Sequence, residues 1–248
     1  MPSAIKSLAK EAGANEFLIA GNGAFIYDIQ NEEILYNNYI EKQKILEIIK
    51  NCEENSIFYN IYTPDMIITK GINYNISYYN NENRKNSSDE KININVTEDI
   101  YNYVQNYEKN DFLKITICDS DKIIFSGIIN KLKKIKNIDV LNISHMSRKT
   151  LKLGTKEKEI TYFYTEITNK NVNKWTALKY LIDKLNIKLE ETIGIGDNIN
   201  DKELIENTGL GIAVENSCPE IKQIAKIIVS DNNSNGVAEA INKYIVEI

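Results

Sequence analysis

The segment Glu191–Asp201, ETIGIGDNIND, constrains the fold more than any other stretch of this chain. Its first half alternates apolar or β-branched residues with glycine, which is typical of a short buried strand, and the following residues have the spacing of a helix. Asp197, Asn200 and Asp201 therefore fall where a strand gives way to a helix, the edge at which α/β sheets bind ligands. Two carboxylates and an amide could hold a hard cation such as Mg²⁺. The alternative is that they cap the helix.

The part of the chain after residue 168 alternates helix and strand patterns. A helix starting near Asn173 carries apolar residues at helical spacing and is followed by three strand-like runs. These runs are Thr192–Ile195, Leu210–Val214 and Ile227–Val229. Helices between successive strands predict a parallel sheet with right-handed crossovers, and a last helix is expected over Gly236–Ile245.

The chain before residue 168 has a different pattern of predicted helices and strands. A helix from Pro2 to Gly13, a strand at Phe17–Ala20 and a hairpin lead to a helix over residues 41–51. Strand-like runs and two helical patches then predict an inserted α+β domain over residues 40–168, with a solvated loop at Tyr79–Glu90. Residues 1–39 and 169–248 are expected to form one discontinuous domain. The predicted strands in the insertion are residues 57–62, 91–96, 113–118 and 160–165, and the predicted helices are residues 98–107 and 127–135.

Composition narrows the class of protein. The chain has 248 residues, 42% of them hydrophobic, which is enough for two domains with real cores. A net charge of −5 gives no electrostatic reason to bind nucleic acid or an anionic membrane. No apolar run is long enough to span a bilayer. Three widely spaced cysteines favour a reducing, cytoplasmic location.

Two further features suggest phosphate binding. Lys174 lies in the first turn of its helix, where the helix dipole disfavours a cation, so a bound phosphate would compensate. The alternative is that Lys174 extends into solvent. Asn22 and Gly23 belong to a Gly-Asn-Gly turn whose backbone has room to approach a ligand.

These segments together resemble the haloacid dehalogenase-like hydrolases, of the Cof type with a C2B cap. The resemblance rests on Lys174 in NVNKWTALKYL, on GIGDNIND at 194–201, on GLGIAVENSCPEIK at 209–222 and on NGVAEAI at 235–241. The segment GNGAFIYD at 21–28 is similar to the one leading into the cap. The fold expected is therefore an α/β, Rossmann-like core with an inserted α+β cap.

The resemblance implies an Mg²⁺-dependent phosphatase of small phosphorylated metabolites such as sugar phosphates. In that family an aspartate attacks phosphorus and a second aspartate serves as acid and base. Lys174 matches the lysine that offsets charge on the phosphate, and Asp197 matches the aspartate that binds Mg²⁺. Asn200 and Asp201 match the rest of that motif, with Asp201 expected at the metal and Asn200 at the phosphate. Asn22 and Gly23 are expected at the phosphate as well.

The sequence departs from the family pattern at the nucleophile. The family begins with a strand ending in DxDGT and a second strand ending in Thr or Ser, and neither motif is present. Asp119-Ser120-Asp121 lacks the Gly-Thr that would follow and is expected to form a turn, and Asp28 is a weaker candidate still. We therefore expect the chain as given to be inactive. The alternative is a non-catalytic protein that retains a metal-binding or phosphoester-binding surface.

The missing strands also have a structural consequence. In the family fold the first strand lies in the middle of the sheet, so its loss would separate Phe17–Ala20 from Thr192–Ile195 and expose unpaired backbone edges. We expect lower stability than in a full-length relative, or repair of the gap by rearrangement or self-association.

Overall fold

The computed structural model describes residues 9, 11, 13–14, 16–84, 91–141, 146–153 and 156–246. Contacts group the chain into two compact units, Met1–Asn171 and Val172–Ile248. The predicted assignment of residues 1–39 and 169–248 to one domain stays a prediction. Most of the helix predicted over Pro2–Gly13 lies outside the described residues, although Ala9 and Glu11 are helical.

The first unit is an α+β structure. Its elements in chain order are β1 (Phe17–Ala20), β2 (Phe25–Asp28), β3 (Glu33–Asn37), α1 (Lys42–Glu54), β4 (Phe58–Tyr62), β5 (Met66–Thr69), α2 (Tyr74–Asn83), β6 (Asn93–Val96), α3 (Ile100–Asn106), β7 (Lys114–Asp119), α4 (Lys122–Leu132), β8 (Ile138–Val140), β9 (Met146–Leu153) and β10 (Lys156–Asn169). A 3₁₀ turn at Gly21–Gly23 joins β1 to β2.

Two sheets make up this unit. β1, β2 and β3 form a three-stranded antiparallel sheet, and the larger sheet has the order β6-β5-β4-β7-β10-β8, with β9 paired to β10. Only β5 and β6 pair in parallel within the larger sheet. One face of that sheet packs against α1, α3 and α4 through fully buried side chains such as Ile48, Val104 and Leu132. Burial of this apolar surface supplies the main stabilisation of the unit.

The second unit is an α/β structure. Its elements are α5 (Lys174–Leu185), β11 (Ile193–Gly196), α6 (Lys202–Asn207), β12 (Leu210–Val214), α7 (Pro219–Ile224), β13 (Ile227–Val229) and α8 (Gly236–Ile241). Short 3₁₀ turns lie at Leu189–Glu191, Ile199–Asp201 and Asn232–Ser234, and a π-helical turn covers Asn242–Val246.

The three strands of the second unit form a parallel sheet in the order β11-β12-β13. Ile212 and Val214 pack on one face with Ala240 of α8. Ala213 packs on the other face with Ile205 of α6 and Ile221 of α7. The predicted parallel sheet is thus confirmed, as is the α/β fold class.

The early strand β1 and the parallel strand β11 have different pairing partners. In the described residues β1 pairs with β2, and β11 pairs with β12, so the two strands belong to different sheets.

One local prediction was wrong. Residues 79–83 of the predicted loop Tyr79–Glu90 belong to α2, whereas residues 85–90 lie outside the described part. The asparagine-rich sequence of α2 has little intrinsic helical preference. Tertiary contacts stabilise the helix instead, because Ile76 is fully buried and the Tyr74 ring lies 5.3 Å from Phe58 and 5.1 Å from Tyr162.

Candidate active site

Lys174 is held at the first position of α5 by a cap on the preceding residue. The Asn173 side chain accepts a hydrogen bond from the Thr176 backbone N–H at 2.8 Å. In return the Thr176 hydroxyl accepts from the Asn173 backbone N–H at 3.2 Å. This reciprocal capping fixes where the helix starts and hence where the lysine stem leaves it.

Asp201 is the partner of Lys174. Its side chain is only 3% exposed, and Lys174 Nζ donates to Asp201 Oδ1. The second oxygen, Oδ2, accepts from the backbone N–H groups of Asp197 at 3.1 Å and Asn198 at 3.2 Å. Asp201 therefore offsets the unfavourable position of Lys174 at a helix N-terminus. The expected contact of Lys174 with a phosphate stays a prediction.

Gly196, the last residue of β11, makes this placement of Asp201 possible. A Cβ atom added at Gly196 would lie 2.4 Å from Asp201 Cβ and 2.6 Å from its Cγ. A side chain at position 196 would therefore push the carboxylate away from the two amides that it accepts from. The glycine before Asp197 is thus required by packing around Asp201.

Asp197 itself is exposed at the end of β11. Its backbone carbonyl accepts from the Cys218 N–H at 3.0 Å, and Ser217 Oγ donates to the Gly196 carbonyl at 3.2 Å. These bonds fix the backbone while the Asp197 carboxylate accepts no hydrogen bond from the described residues. Asn200 is half-buried in the turn that follows.

The oxygen atoms near the end of β11 provide part of the ligand set that a hard cation needs. The Asp197 carboxylate and the Asn200 amide provide oxygen atoms, and Mg²⁺ is bound by one or two carboxylates while it keeps several waters. Both Asp201 oxygens already accept N–H groups, so direct ligation by Asp201 stays a prediction. Over the described ranges, no group of three or more His, Cys, Asp or Glu side chains could hold a metal.

Asn22 and Gly23 lie in the first unit. Gly21, Asn22 and Gly23 have φ values of +60°, +59° and +100°, a run of left-handed backbone that favours glycine and asparagine. The Asn22 side-chain amide donates to Glu166 Oε2. The role of both residues in phosphate binding stays a prediction.

The other candidate nucleophiles, Asp28, Asp119 and Asp121, accept hydrogen bonds in turns or at a helix start. Asp121 caps α4 by accepting from the backbone N–H groups of Ile123 at 2.7 Å and Ile124 at 3.0 Å. Asp119 accepts from the Asp121 N–H at 2.6 Å. Asp28 is buried and accepts from Gln30 and Asn31 within the β2–β3 turn. Their oxygens have local structural roles.

Comparisons with known proteins agree with the resemblance. The sequence model of a family described as haloacid dehalogenase-like hydrolase matches residues 1–241. Phosphatase YwpJ from Bacillus subtilis is 27% identical over 243 residues, covering 94% of this chain and 81% of that protein.

Solved structures extend the likeness to the fold. A haloacid dehalogenase-like hydrolase from B. subtilis superimposes with a TM-score of 0.76 at 23% identity, covering 98% of this chain and 84% of that one. A sugar phosphatase of HAD subclass IIB superimposes with a TM-score of 0.68 at 15% identity, covering 96% and 79%. At these identities the structures show a shared fold.

Proposed function

The chain belongs to the haloacid dehalogenase-like hydrolases, and from this premise we propose that it carries the lysine and cation-binding half of a Mg²⁺-dependent phosphatase centre. The observation that supports the proposal most strongly is the cluster of Lys174, Asp201 and Asp197 at the carboxyl end of β11. A buried carboxylate there fixes a partly exposed lysine next to an exposed aspartate. Such a cluster suits a ligand that brings both a phosphate and a cation.

Each residue of this half-site has a distinct role in the proposal. Lys174 Nζ has three N–H donors, of which one binds Asp201, so the others can donate to phosphate oxygens. Asp201 positions that ammonium group and, through the amides of residues 197 and 198, the start of the turn. Asp197, with Asn200 beside it, would hold Mg²⁺. The bound ion would neutralise charge on the phosphoryl oxygens. Asn22 and the Gly23 backbone are proposed as further phosphate contacts.

The 248-residue polypeptide is proposed to bind phosphomonoesters without hydrolysing them. It contains no DxDGT motif, and the DxD at 119–121 caps α4. Lys174, Asp197 and Asp201 can hold and polarise a phosphate but supply no carboxylate to attack phosphorus. The alternative is a protein without any catalytic function, in which the same residues form only a metal-binding or phosphoester-binding surface. The phosphatase proposal requires a nucleophile from a separate chain segment, whereas the alternative requires none.

Substrate class and cellular setting are proposed by analogy. We propose small phosphorylated metabolites such as sugar phosphates, because similar proteins are phosphatases and one solved structure of the same fold is a sugar phosphatase. Cys52, Cys118 and Cys218 form no disulfide, which fits the proposed cytoplasmic location. No helix in the described part is long and apolar enough to cross a membrane.

Self-association is proposed because β11 pairs on one side only within the described residues.

A binding and turnover experiment tests this proposal. Trp175, the only tryptophan of the chain, adjoins Lys174 and should report titration with Mg²⁺ and inorganic phosphate. We expect Asp197→Asn to abolish the Mg²⁺-dependent part of the signal and Lys174→Ala to abolish the phosphate response. Asp183→Asn, which removes an exposed carboxylate 3.2 Å from Lys179, is the matched control and should bind as the unaltered chain does.

Turnover of p-nitrophenyl phosphate separates binding from catalysis. We expect no Mg²⁺-dependent hydrolysis by the unaltered chain. Mg²⁺-dependent hydrolysis by the unaltered chain that is lost in Asp197→Asn would show that the chain is catalytic, and would overturn the inactivity claim. Absence of any Mg²⁺ or phosphate response from Trp175, confirmed by calorimetry, would overturn the half-site itself.

A further inference from the structure

The turn between α4 and β8 is rich in lysine and is fixed by apolar residues. It reads KLKKIKNI at residues 131–138. Its apolar side chains are at most 9% exposed and belong to the core of the first unit: Leu132, Ile135 and Ile138. The lysines between them are exposed: Lys133, Lys134 and Lys136. Because the buried side chains hold the backbone, the lysines leave this lysine-rich turn from fixed positions.

Strand pairing brings a fourth lysine to the lysine-rich turn. β8 pairs antiparallel with the end of β10, and Ile138 lies opposite Asn169. The Lys170 backbone N–H then donates to the Asn137 carbonyl at 3.3 Å. Asn137 has a φ of +63°, a left-handed conformation that asparagine adopts more readily than most residues. The register of the two strands therefore places Lys170 beside a turn that is distant in the chain.

The four lysines line a cavity of about 620 Å³. Among its described lining residues only Asp139 is acidic, and its Oδ2 accepts from the Asn171 backbone N–H at 2.7 Å. None of the four ammonium groups has an ion pair or a hydrogen bond with another residue that the structure describes. The cavity thus concentrates positive charge in a chain whose net charge is −5.

The carboxyl end of α4 accounts for only part of this charge. A helix end carries about half a negative elementary charge, and its effect falls off within the last turn. Lys131 lies in that last turn, and its Nζ donates to Asn55 Oδ1 at 2.8 Å. Lys136 and Lys170 lie beyond the helix, so the helix dipole does not explain them. An anion in the cavity would relieve the repulsion among the ammonium groups.

The charge and the lining of the cavity select the kind of anion. A single phosphate group carries about 1.5–2 negative charges near pH 7, which offsets half of the four positive charges at most. Two or three linked phosphate groups bring more charge into the same space and accept hydrogen bonds from several ammonium groups. The described lining contains no aromatic side chain on which a nucleobase could stack. The net negative charge of the chain also disfavours a long polyanion such as nucleic acid.

We propose that this cavity binds a compact inorganic polyphosphate such as pyrophosphate, through the ammonium groups of Lys133, Lys134, Lys136 and Lys170. The site goes beyond the proposed function, because it lies within the first unit and uses no residue of the half-site around Lys174. The bound anion would connect the lysine-rich turn to Lys170, which directly precedes the boundary between the two units at Asn171.

Calorimetric titration of the 248-residue chain with pyrophosphate in metal-free buffer tests the inference. We expect binding that weakens as sodium chloride is added and that is at least about tenfold tighter than binding of inorganic phosphate. The double variant Lys134→Gln/Lys136→Gln should bind pyrophosphate at least about tenfold more weakly. Lys174→Ala should retain the binding, which separates this cavity from the half-site.

A matched double variant controls for the loss of charge. Lys44→Gln/Lys109→Gln removes two lysines of the same unit that are paired with carboxylates at 3.1 and 2.7 Å. It should bind pyrophosphate as the unaltered chain does. Equal weakening in both double variants would show that only the total charge matters and would overturn the inference.

Lysine acetylation read by peptide mass spectrometry tests the site without any substitution. Pyrophosphate should slow acetylation of the four cavity lysines several-fold relative to sodium chloride of equal ionic strength, and Lys44 and Lys109 should react as before. Absence of pyrophosphate binding, loss of binding in Lys174→Ala or equal protection of all lysines would overturn the inference. Loss of the Trp175 response to Mg²⁺ and phosphate, with this protection intact, would count against the phosphatase half-site alone.

Discussion

Two lysine–carboxylate pairs, one in each unit, have opposite surroundings. Lys174 is 35% exposed and its partner Asp201 only 3%, whereas Lys114 and Glu166 are both about one-sixth exposed. Asp201 is fixed by backbone amides, and an exposed carboxylate, Asp197, lies beside it. The Lys114–Glu166 pair is instead surrounded by phenols and amides. In the second unit the carboxylate is thus the more buried partner, whereas in the first unit the two partners are buried to about the same degree.

The difference follows from the hydrogen-bonding groups that each ion pair leaves available to a ligand. At the end of β11 the carboxylate is saturated by N–H donors, so the lysine retains donors for an anion. On the larger sheet both partners are about equally exposed, and uncharged phenols and amides surround them. The two pairs therefore differ in how far the lysine is exposed and in the groups that surround it. Three perturbations test this contrast.

Alkaline pH should have the largest effect, and it should act on the first unit. The folded-state pKa values of Lys114, Tyr62, Tyr79 and Tyr164 lie above ordinary values of 10.5 for lysine and 10.0 for tyrosine. Because the folded state holds these protons more tightly, their stabilisation is fully present below about pH 10 and falls as pH rises beyond it. We expect cooperative loss of near-ultraviolet circular dichroism together with a rise in phenolate absorbance. Non-cooperative titration of all tyrosines near pH 10 would contradict it.

Removing each lysine should have effects of different size. Lys114→Met leaves Glu166 buried without its cation, which should lower the free energy of unfolding by about 3–5 kcal/mol. Lys174→Met leaves Asp201 with its two backbone donors, and a loss of about 1–2 kcal/mol is expected. Urea unfolding followed by far-ultraviolet circular dichroism measures both. Equal losses in the two variants would remove the distinction between the pairs.

A methyl group added beside Asp201 should lower stability less than the loss of Lys114 does, and it should have a clear effect on binding. Gly196→Ala places a Cβ 2.4 Å from Asp201 Cβ, and such overpacking costs about 1–3 kcal/mol. We expect Trp175 fluorescence to show earlier unfolding of the second unit and a weaker phosphate response. Gly127→Ala is the control, because no atom lies within 4 Å of a Cβ built there. Normal phosphate binding in Gly196→Ala would show that Asp201 does not need its present position.

Regular hydrophobic periods made much of the fold predictable. The strands at residues 17–20, 210–214 and 227–229 and the helix from Lys174 occur where alternation or a 3.6-residue period predicts them. The sequence predicts neither β5, β8 nor β9, because β5 and β8 are short runs and β9 is rich in charged residues. It predicts residues 79–83 of α2 as loop because the asparagines disfavour helix locally, whereas Tyr74 and Ile76 are held by the sheet.

Strand and helix periods and the ends of strands are local properties, so the sequence alone was enough to predict the parallel strands of the second unit and to single out Lys174, Asp197 and Asp201. It placed no weight on Lys114 or Glu166. Only the tertiary structure joined Asn22 to Glu166, 144 residues away in the chain, and Lys174 to Asp201 across 27 residues. Such contacts depend on sheet order and strand register. A local pattern of side chains does not show which distant residues the sheet will bring together.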